Sequence, residues 1–339
     1  MKLYGGIDLH GNNNLTTLID EEDRLVFSKR LNNNISEVLF MLAPYRDNIV
    51  GLAVESTYNW YWLVDGLMEN GYKVHLANPA AMQQYEGLKY GDDKTDSRWL
   101  AHMLRLGILP EGYIYPKEDR PIRDLLRKRS QLVRYRTSNI LSMNNLFSRN
   151  LGYSIKGRKI KQLDADDIDE LMEDENLALA AKCNLFVMQC AESQIKEVEK
   201  VVKRQAKLRP EFSNLLTVNG IGEILAMTIA LETGNIKRFP SVGNFSSYCR
   251  CVSSTRNSNG KKKGEGNSKN GNNYLAWSFM EAATFAIRFN DLARRFYQRK
   301  TAKKKAVVAK KALANKLAKA CYYIMRDEVP FDNERLFAT

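Results

Sequence analysis

The sequence predicts an α/β N-terminal domain, a long helical middle segment and a mostly helical C-terminal domain, and three observations carry that prediction. Short apolar runs separated by turn residues fill the first 80 positions, as strands do. Helical spacing of apolar residues takes over after Pro116. The last third adds a dense set of lysines and arginines to that spacing.

Taken in order, Leu3 to Leu9 is a short apolar strand and Asn12-Asn13-Asn14 a turn. Leu15 to Ile19 and Arg24 to Lys29 alternate and are joined through Glu21-Glu22-Asp23, which completes a three-strand meander. Ile49 to Glu55 reads as a strand buried on both faces, Tyr58 to Asn70 as a helix and Tyr72 to Ala77 as another strand. Pro79 opens a second helix at the position proline favours. Three antiparallel strands followed by strand, helix and strand is the order of an RNase H-like layer. Trp99, Leu100, Met103 and Leu104 give Thr95 to Leu106 a helical face.

Asp119 to Asn150 is helical through Leu125, Leu126, Leu132, Val133, Ile140 and Leu141, and further helical blocks run from Asp164 to Ala181 and from Asn184 to Leu208. Long polar helices with thin apolar stripes fit an extended helical pair or coiled-coil insert, which commonly serves assembly. Pro210 opens the last segment. There Gly220-Ile221-Gly222, followed by the apolar helix Ile224 to Glu232, is similar to a helix-hairpin-helix element, whose Gly-x-Gly turn lets backbone N–H groups approach a phosphate. Ser253 to Asn273 reads as a loop, and Asp291 to Arg326 as one or two amphipathic helices. The expected domains are 1–118, 119–212 and 213–339.

Composition excludes several classes of protein. The chain has 339 residues, 44% of them apolar, enough for two domains. Its longest apolar stretch, Ile224 to Leu231, is far short of the ~20 residues of a membrane helix. Lys2 is followed at once by Gly5, Gly6 and Asp8, so no secretory leader is expected. Five scattered cysteines suit reduced thiols in a cytoplasm, and Cys249-x-Cys251 has no second pair to complete a zinc site. The net charge of +13 sits in the C-terminal third: residues 1–110 carry −4, residues 111–215 carry +4 and residues 216–339 carry +13. An excess this concentrated is the footprint of a polyanion such as nucleic acid. The cations in question include Lys261, Lys262 and Lys263 in the loop and Lys303, Lys304, Lys305, Lys310 and Lys311 in the last helices.

Four acids form a constellation. Asp8 ends the first strand and Glu55 the next buried one, so on neighbouring strands their carboxylates face each other. Asp93 and Asp96 stand three apart at the start of a helix and point the same way. Such a set suits two hard divalent cations clamping the attacking and leaving oxygens of a phosphoryl transfer, with Mg²⁺ the expected occupant and Mn²⁺ an alternative. Singly, Asp96 reads equally well as a helix cap and Asp8 as a turn former. Ser258, in Asn257-Ser258-Asn259-Gly260-Lys261-Lys262-Lys263, is a candidate nucleophile, but all three histidines lie in the first domain, so its activation must come from outside the loop. By residue chemistry alone, a phosphate-binding loop without a covalent role is the simpler reading.

The residues Gly6-Ile7-Asp8, Val54-Glu55, Asp93-x-x-Asp96 before Trp99-Leu100-Ala101, Gly220-Ile221-Gly222, and Cys249-Arg250-Cys251 leading to Ser258-Asn259-Gly260-Lys261 together resemble the DEDD transposases of insertion sequences, relatives of the Piv-type DNA invertases. The resemblance implies a RuvC-like N-terminal domain, a coiled-coil insert used in oligomerisation and a C-terminal transposase domain. It further implies a cytoplasmic prokaryotic enzyme, acting at the nucleoid, whose partners are donor and target DNA, a guide (bridge) RNA and copies of itself as a dimer or tetramer. The family's four acids fall on Asp8, Glu55, Asp93 and Asp96 and its catalytic serine on Ser258. Ser254 stands near the place where many members have proline, and Ser253 or Ser254 stays open as the nucleophile, as does whether the serine acts in cis or in trans. The alternative activity is that of a RuvC-like nuclease or Holliday-junction resolvase with no covalent serine step.

Overall fold

A computed structural model describes residues 1–82, 93–206, 210–252, 255–265 and 270–337. The chain divides into two compact units, Met1–Lys117 and Glu118–Thr339.

The first unit begins with the expected meander, β1 (Leu3–Leu9), β2 (Asn13–Ile19) and β3 (Leu25–Asn32), then α1 (Ile35–Leu42). It continues with β4 (Ile49–Glu55), α2 (Tyr61–Glu69), β5 (Val74–Ala77), the single turn α3 (Pro79–Met82) and α4 (Asp93–Leu106). The five strands are ordered β3-β2-β1-β4-β5; β1, β4 and β5 are parallel neighbours, and β2 is antiparallel to both β1 and β3. Because side chains alternate across a strand, β1 presents two different faces. Leu3, Ile7 and Leu9 join Val38, Leu42, Leu63 and Leu67 in a core under α1 and α2. On the other face the side chains are small: Gly6, Thr17, Ala53 and Ala77 lie under α4, which seats Ser97, Leu100, Ala101 and Met103 on them.

Gly6 permits the closest approach. A Cβ at this position would stand 2.7 Å from the Ala101 nitrogen and closer still to the Ser97 carbonyl oxygen. Helix α4 therefore rests on the backbone of β1, and Thr17 Oγ1 and Ser97 Oγ share a buried hydrogen bond of 2.8 Å across the contact. The helix expected from Tyr58 starts at Tyr61 instead. The Thr57 N–H donates to the Glu55 carbonyl (2.9 Å) and Thr57 Oγ1 to Asn59 Oδ1 (2.9 Å), local bonds that compete with helix formation.

The second unit opens with α5 (Arg120–Leu151) and returns through α6 (Gly157–Ile160), α7 (Ala165–Leu171) and α8 (Glu175–Ala206). At 32 residues each, α5 and α8 are about 48 Å long. They run antiparallel, as the pairs Arg129–Glu199 and Arg136–Glu192, both 2.6 Å, require. Met143, Phe147, Ala181, Leu185 and Met188 fill the space between them. The break expected between Ala181 and Asn184 lies earlier, at Met172–Asp174. Asp174 Oδ1 accepts from the Asn176 and Leu177 N–H groups and caps α8, and Ala181 is buried inside it.

The rest of this unit is α9 (Pro210–Leu216), α10 (Glu223–Thr233), α11 (Val242–Tyr248), β6 (Thr255–Ser258), β7 (Lys261–Glu265), α12 (Asn273–Phe289), α13 (Asp291–Thr301), α14 (Ala306–Asp327) and α15 (Asn333–Phe337). The stretch read as a loop thus contains a β-hairpin. Asn259 and Gly260 both take positive φ, 50° and 70°, and form the turn, as an Asn-Gly pair in a two-residue hairpin does. The sequence reading also missed α12, which the Asn272 side chain caps by accepting from Tyr274 and Leu275 N–H groups.

Helix α10 is buried along nearly its whole length, and so is its one acid near the end. Glu232 is 2% exposed. Its carboxylate accepts from Arg127 Nε (2.6 Å) and Nη2 (2.8 Å), Arg123 Nε (3.1 Å) and Asn272 Nδ2 (2.8 Å), which joins the start of α5 to α10 and to the cap of α12. Burial works against the charge, but the Arg127 hydrogen bonds and both guanidinium charges outweigh it and hold the carboxyl below its ordinary value of 4.5.

Two outcomes follow for stability. Gly6→Ala should lower the urea midpoint of the first unit by the equivalent of about 1–3 kcal/mol or more, since the new methyl meets backbone on both sides. A variant as stable as wild type would show that α4 does not rest on β1. Glu232→Gln should cost about 3–5 kcal/mol at pH 7, because it leaves two arginines without their counter-charge. A carboxyl held low stabilises the fold above its unfolded value and loses that contribution as pH falls through the folded value. Wild-type stability should therefore drop as pH falls below 4.5, and the Gln variant should lack that part of the drop when unfolding is followed from pH 5 to 3.

Candidate active site

The register of the sheet sets the acids in place. Ile7 pairs with Val54, so Asp8 and Glu55 are the next residues along two parallel neighbours, at the carboxyl ends of β1 and β4. Asp8 lies on the same face of β1 as Gly6, and Glu55 on the same face of β4 as Ala53. Both side chains thus emerge beneath the N-terminal turn of α4, which carries Asp93 and Asp96. Asp8 also pairs with Leu15 on β2, and Leu15 with Arg30 on β3, so Arg30 stands in line with Asp8 two strands away.

Asp8 is 3% exposed. Its Oδ2 lies 3.1 Å from His10 Nε2, yet forms no hydrogen bond of good geometry. His10 Nε2 is also 3.4 Å from Asp93 Oδ2, and one ligand atom from each of Asp8, His10 and Asp93 falls within 4.8 Å of the others. Arg30 pairs with Asp93 through Nη2 and donates from Nη1 to Asn13 Oδ1. The Arg30 hydrogen bond, with His10 behind it, holds the Asp93 carboxyl below its usual range. Glu55 goes the other way. Burial, then Asp8 within hydrogen-bonding reach, then the Asp96 charge push its carboxyl up to about 7. The His10 carbonyl accepts from Asn33 Nδ2 (2.9 Å) and Asn59 Nδ2 (3.0 Å), which fixes the segment after β1.

The structure therefore brings Asp8, Glu55, Asp93 and Asp96 to one end of the sheet, with His10 and Arg30 beside them. Asp8, Glu55, Asp93 and Asp96 would hold a hard divalent cation through their carboxylate oxygens, and the buried Asp8 Oδ2, without a bonding partner, fits that use. His10 and Arg30 were the harder residues to find. Arg30 joins through pairing register, which a local apolar pattern does not reveal. Asp92, next to the pair on α4, lies outside the described residues.

The remaining candidates lie in the second unit. Ser258 ends β6, exposed, and pairs with Lys261 across the Asn259-Gly260 turn, with exposed Lys262 and Lys263 next on β7. Ser253 and Ser254 lie outside the described residues. Gly220, at φ 101°, is pressed on α12: a Cβ there would meet the Ala282 carbonyl oxygen at 2.5 Å and the Ala286 nitrogen at 2.7 Å. Gly222 is exposed at the N-cap of α10 with open space around it. Lys303, Lys304 and Lys305 are exposed between α13 and α14, whereas Lys310 and Lys311 are half-buried along α14. The buried thiols Cys249, Cys251 and Cys321 are unpaired, with pKa values raised by burial.

Two family models match this chain. A transposase model of the IS110 DEDD type covers residues 5–149, and one described as the transposase IS116/IS110/IS902 family covers residues 212–298. Both matched regions are similar to transposase domains of the IS110 family. A probable family 20 transposase of Pseudomonas aeruginosa is 24% identical over 281 residues, 79% of this chain and 81% of that relative. The DEDD transposase match contains all four acids with His10 and Arg30. The second match contains Gly220, Gly222 and Ser258 and ends before Lys303.

If the acids bind a divalent cation, Mg²⁺ or Mn²⁺ at ten times its Kd should stabilise the DEDD domain by about 1.4 kcal/mol, or about 4–8 °C in thermal melting. Asp8→Asn should abolish that shift while melting at or above wild type without metal, because one of the crowded charges is gone. An equal shift in both proteins would place the cation elsewhere.

Proposed function

We propose that the protein is the transposase of an insertion sequence, which cuts, exchanges and rejoins DNA strands through a covalent phosphoserine link, guided by a bridge RNA. The observation that carries this reading is the convergence of Asp8, Glu55, Asp93 and Asp96, around a buried oxygen without a bonding partner, in a chain similar to DEDD transposases. A divalent cation held by those four carboxylates would supply the Lewis acid that polarises the scissile phosphate and neutralises charge on the leaving 3′ oxygen.

The protein's own groups do the rest. Arg30 and His10 hold Asp93 in position, and the two asparagines on the His10 carbonyl keep that segment from shifting. Ser258 is the nucleophile: its oxygen bonds to phosphorus as the bond to the 3′ oxygen breaks, the serine gives up its proton and the 3′ oxygen gains one. A 3′ hydroxyl of the partner strand then reverses the step, so rejoining needs no nucleotide cofactor. The exposed end of β6 and the lysines of β7 favour this role, since a cationic strand beside the serine suits a phosphate.

Guide pairing would select the DNA sites while the protein holds backbones. The basic charge of residues 216–339 fits that division of labour. Leu141 on α5 and Leu179, Phe186 and Val187 on α8 are large apolar side chains left exposed on the helical pair, which supports assembly of copies through this region. No helix among the described residues is long and apolar enough to cross a membrane.

The test is to incubate the full chain, the RNA transcribed beside its element and labelled donor DNA with Mg²⁺, and to run the products on a denaturing gel. A protein–DNA adduct that vanishes in Ser258→Ala and without RNA is the expected result. Cleaved DNA with no adduct, equal in both proteins, would replace this reading with a metal-dependent nuclease.

A further inference from the structure

Between Glu55 and the buried Trp60 the chain makes a short turn whose polar groups are nearly all used inward. The Thr57 N–H bonds to the Glu55 carbonyl (2.9 Å), Thr57 Oγ1 to Asn59 Oδ1 (2.9 Å), and Asn59 Nδ2 to the His10 carbonyl (3.0 Å). Asn33 Nδ2 reaches that carbonyl and the Gly11 carbonyl (3.0 Å) from the other side. The turn is therefore fixed to the same short segment that carries Asp8 and His10.

Tyr58 breaks the pattern. Its side chain is 87% exposed, the most exposed large hydrophobic side chain among the described residues. Its hydroxyl stands over the His10-Gly11 segment, 3.2 Å from where a Cβ on Gly11 would be, so any side chain at residue 11 would crowd the ring. An aromatic ring held out in water on a rigid turn forgoes the burial that aromatic residues ordinarily find. Its free π-face is the kind of surface on which an unpaired base stacks, whatever its sequence.

The turn leaves β4 directly after Glu55, and the ring overhangs the segment directly after Asp8. A base seated on Tyr58 would thus lie beside the segments that follow Asp8 and Glu55.

We propose that Tyr58 is a positioning residue that stacks on the DNA base next to the scissile phosphate and so decides which phosphate is offered to the acids. The proposal rests on reading those acids as the phosphoryl-transfer site. Tyr58 takes no part in the bond changes; the ring, not the hydroxyl, is the working group.

The experiment uses full-length protein with its flanking RNA and a duplex of the element end, in which 2-aminopurine replaces one base at a time around the cleavage point. Stacking on an aromatic ring quenches this base analogue. With wild type and Tyr58→Phe, quenching of at least about two-fold is expected at one position, and Tyr58→Ala should abolish it there. In cleavage assays Tyr58→Ala should raise the half-saturating DNA concentration about 5- to 50-fold with little change in maximal rate, and Tyr58→Phe should restore it. Identical quenching profiles in the three proteins, no position-specific quenching in wild type, or equal loss in Tyr58→Phe and Tyr58→Ala would each overturn the proposal. Glu55→Gln separates the two levels. Cleavage by that variant at the wild-type rate would overturn the reading of the acids, whereas its inactivity beside an unaffected Tyr58→Ala would overturn stacking alone.

Discussion

The first unit depends on one missing side chain. Gly6 lets α4 lie on the backbone of β1, and the small residues around it, Thr17, Ala53, Ala77, Ser97 and Ala101, keep that contact shallow along its length. The height of α4 above the sheet decides how far Asp93 and Asp96 stand from Asp8 and Glu55. A larger residue under the helix would lift two carboxylates away from the other two. The packing of an otherwise ordinary helix on a sheet thus sets the geometry of the charged cluster at its end, and close-packed interiors transmit such changes with little loss.

The two units handle buried charge in opposite ways. In the first, burial and the neighbouring acids Asp8 and Asp96 push the Glu55 carboxyl up to about 7, while Arg30 pairs with Asp93 and His10 stands between Asp8 and Asp93. That arrangement spends stability on a site, as functional sites commonly do. In the second, a single buried acid, Glu232, is matched by four donors from α5 and the cap of α12 and tightens the fold. A carboxylate so well satisfied has no capacity left for a ligand. The contrast separates the crowded acids of the first unit from a satisfied structural acid without reference to position in the sequence.

Much of this was legible in the sequence because local rules were enough. An acid ending an apolar strand, as Asp8 and Glu55 do, must sit at a sheet edge, and two acids three apart at a helix start must share a face. The strand meander and α5 followed from periodicity, whereas α8 reads with a break after Ala181 that the structure places before Glu175. What was illegible needed information from distant residues or from a rule masked by composition. Arg30 enters through strand register. Glu232 sits in an apolar helix, where an acid has to find cations, but nothing local names Arg123 and Arg127 as those cations. The Asn259-Gly260 turn signals a hairpin strongly, yet it lay in a stretch so rich in Gly, Asn, Ser and Lys that the whole segment read as loop. Helix α12 was passed over in the same way, beside a loop that drew attention to itself.

The Glu232 cluster also bears on the order in which the protein is made. The sheet and α4 of the first unit are complete by Leu106, so that unit has all its partners soon after it leaves the ribosome. Arg127 does not: its carboxylate partner is 105 residues further on. At a synthesis rate of about 5–20 residues per second, the Arg127–Glu232 pair cannot form until about 5–20 s after Arg127 is added. Helix α8 is made in that interval and carries Glu192 and Glu199, the partners of Arg136 and Arg129, so the helical pair has its own contacts before its base is joined to α10. The later arrival of α10 ties the base of that pair into the C-terminal core, so closure of the second unit is timed by translation rather than by the folding of the first.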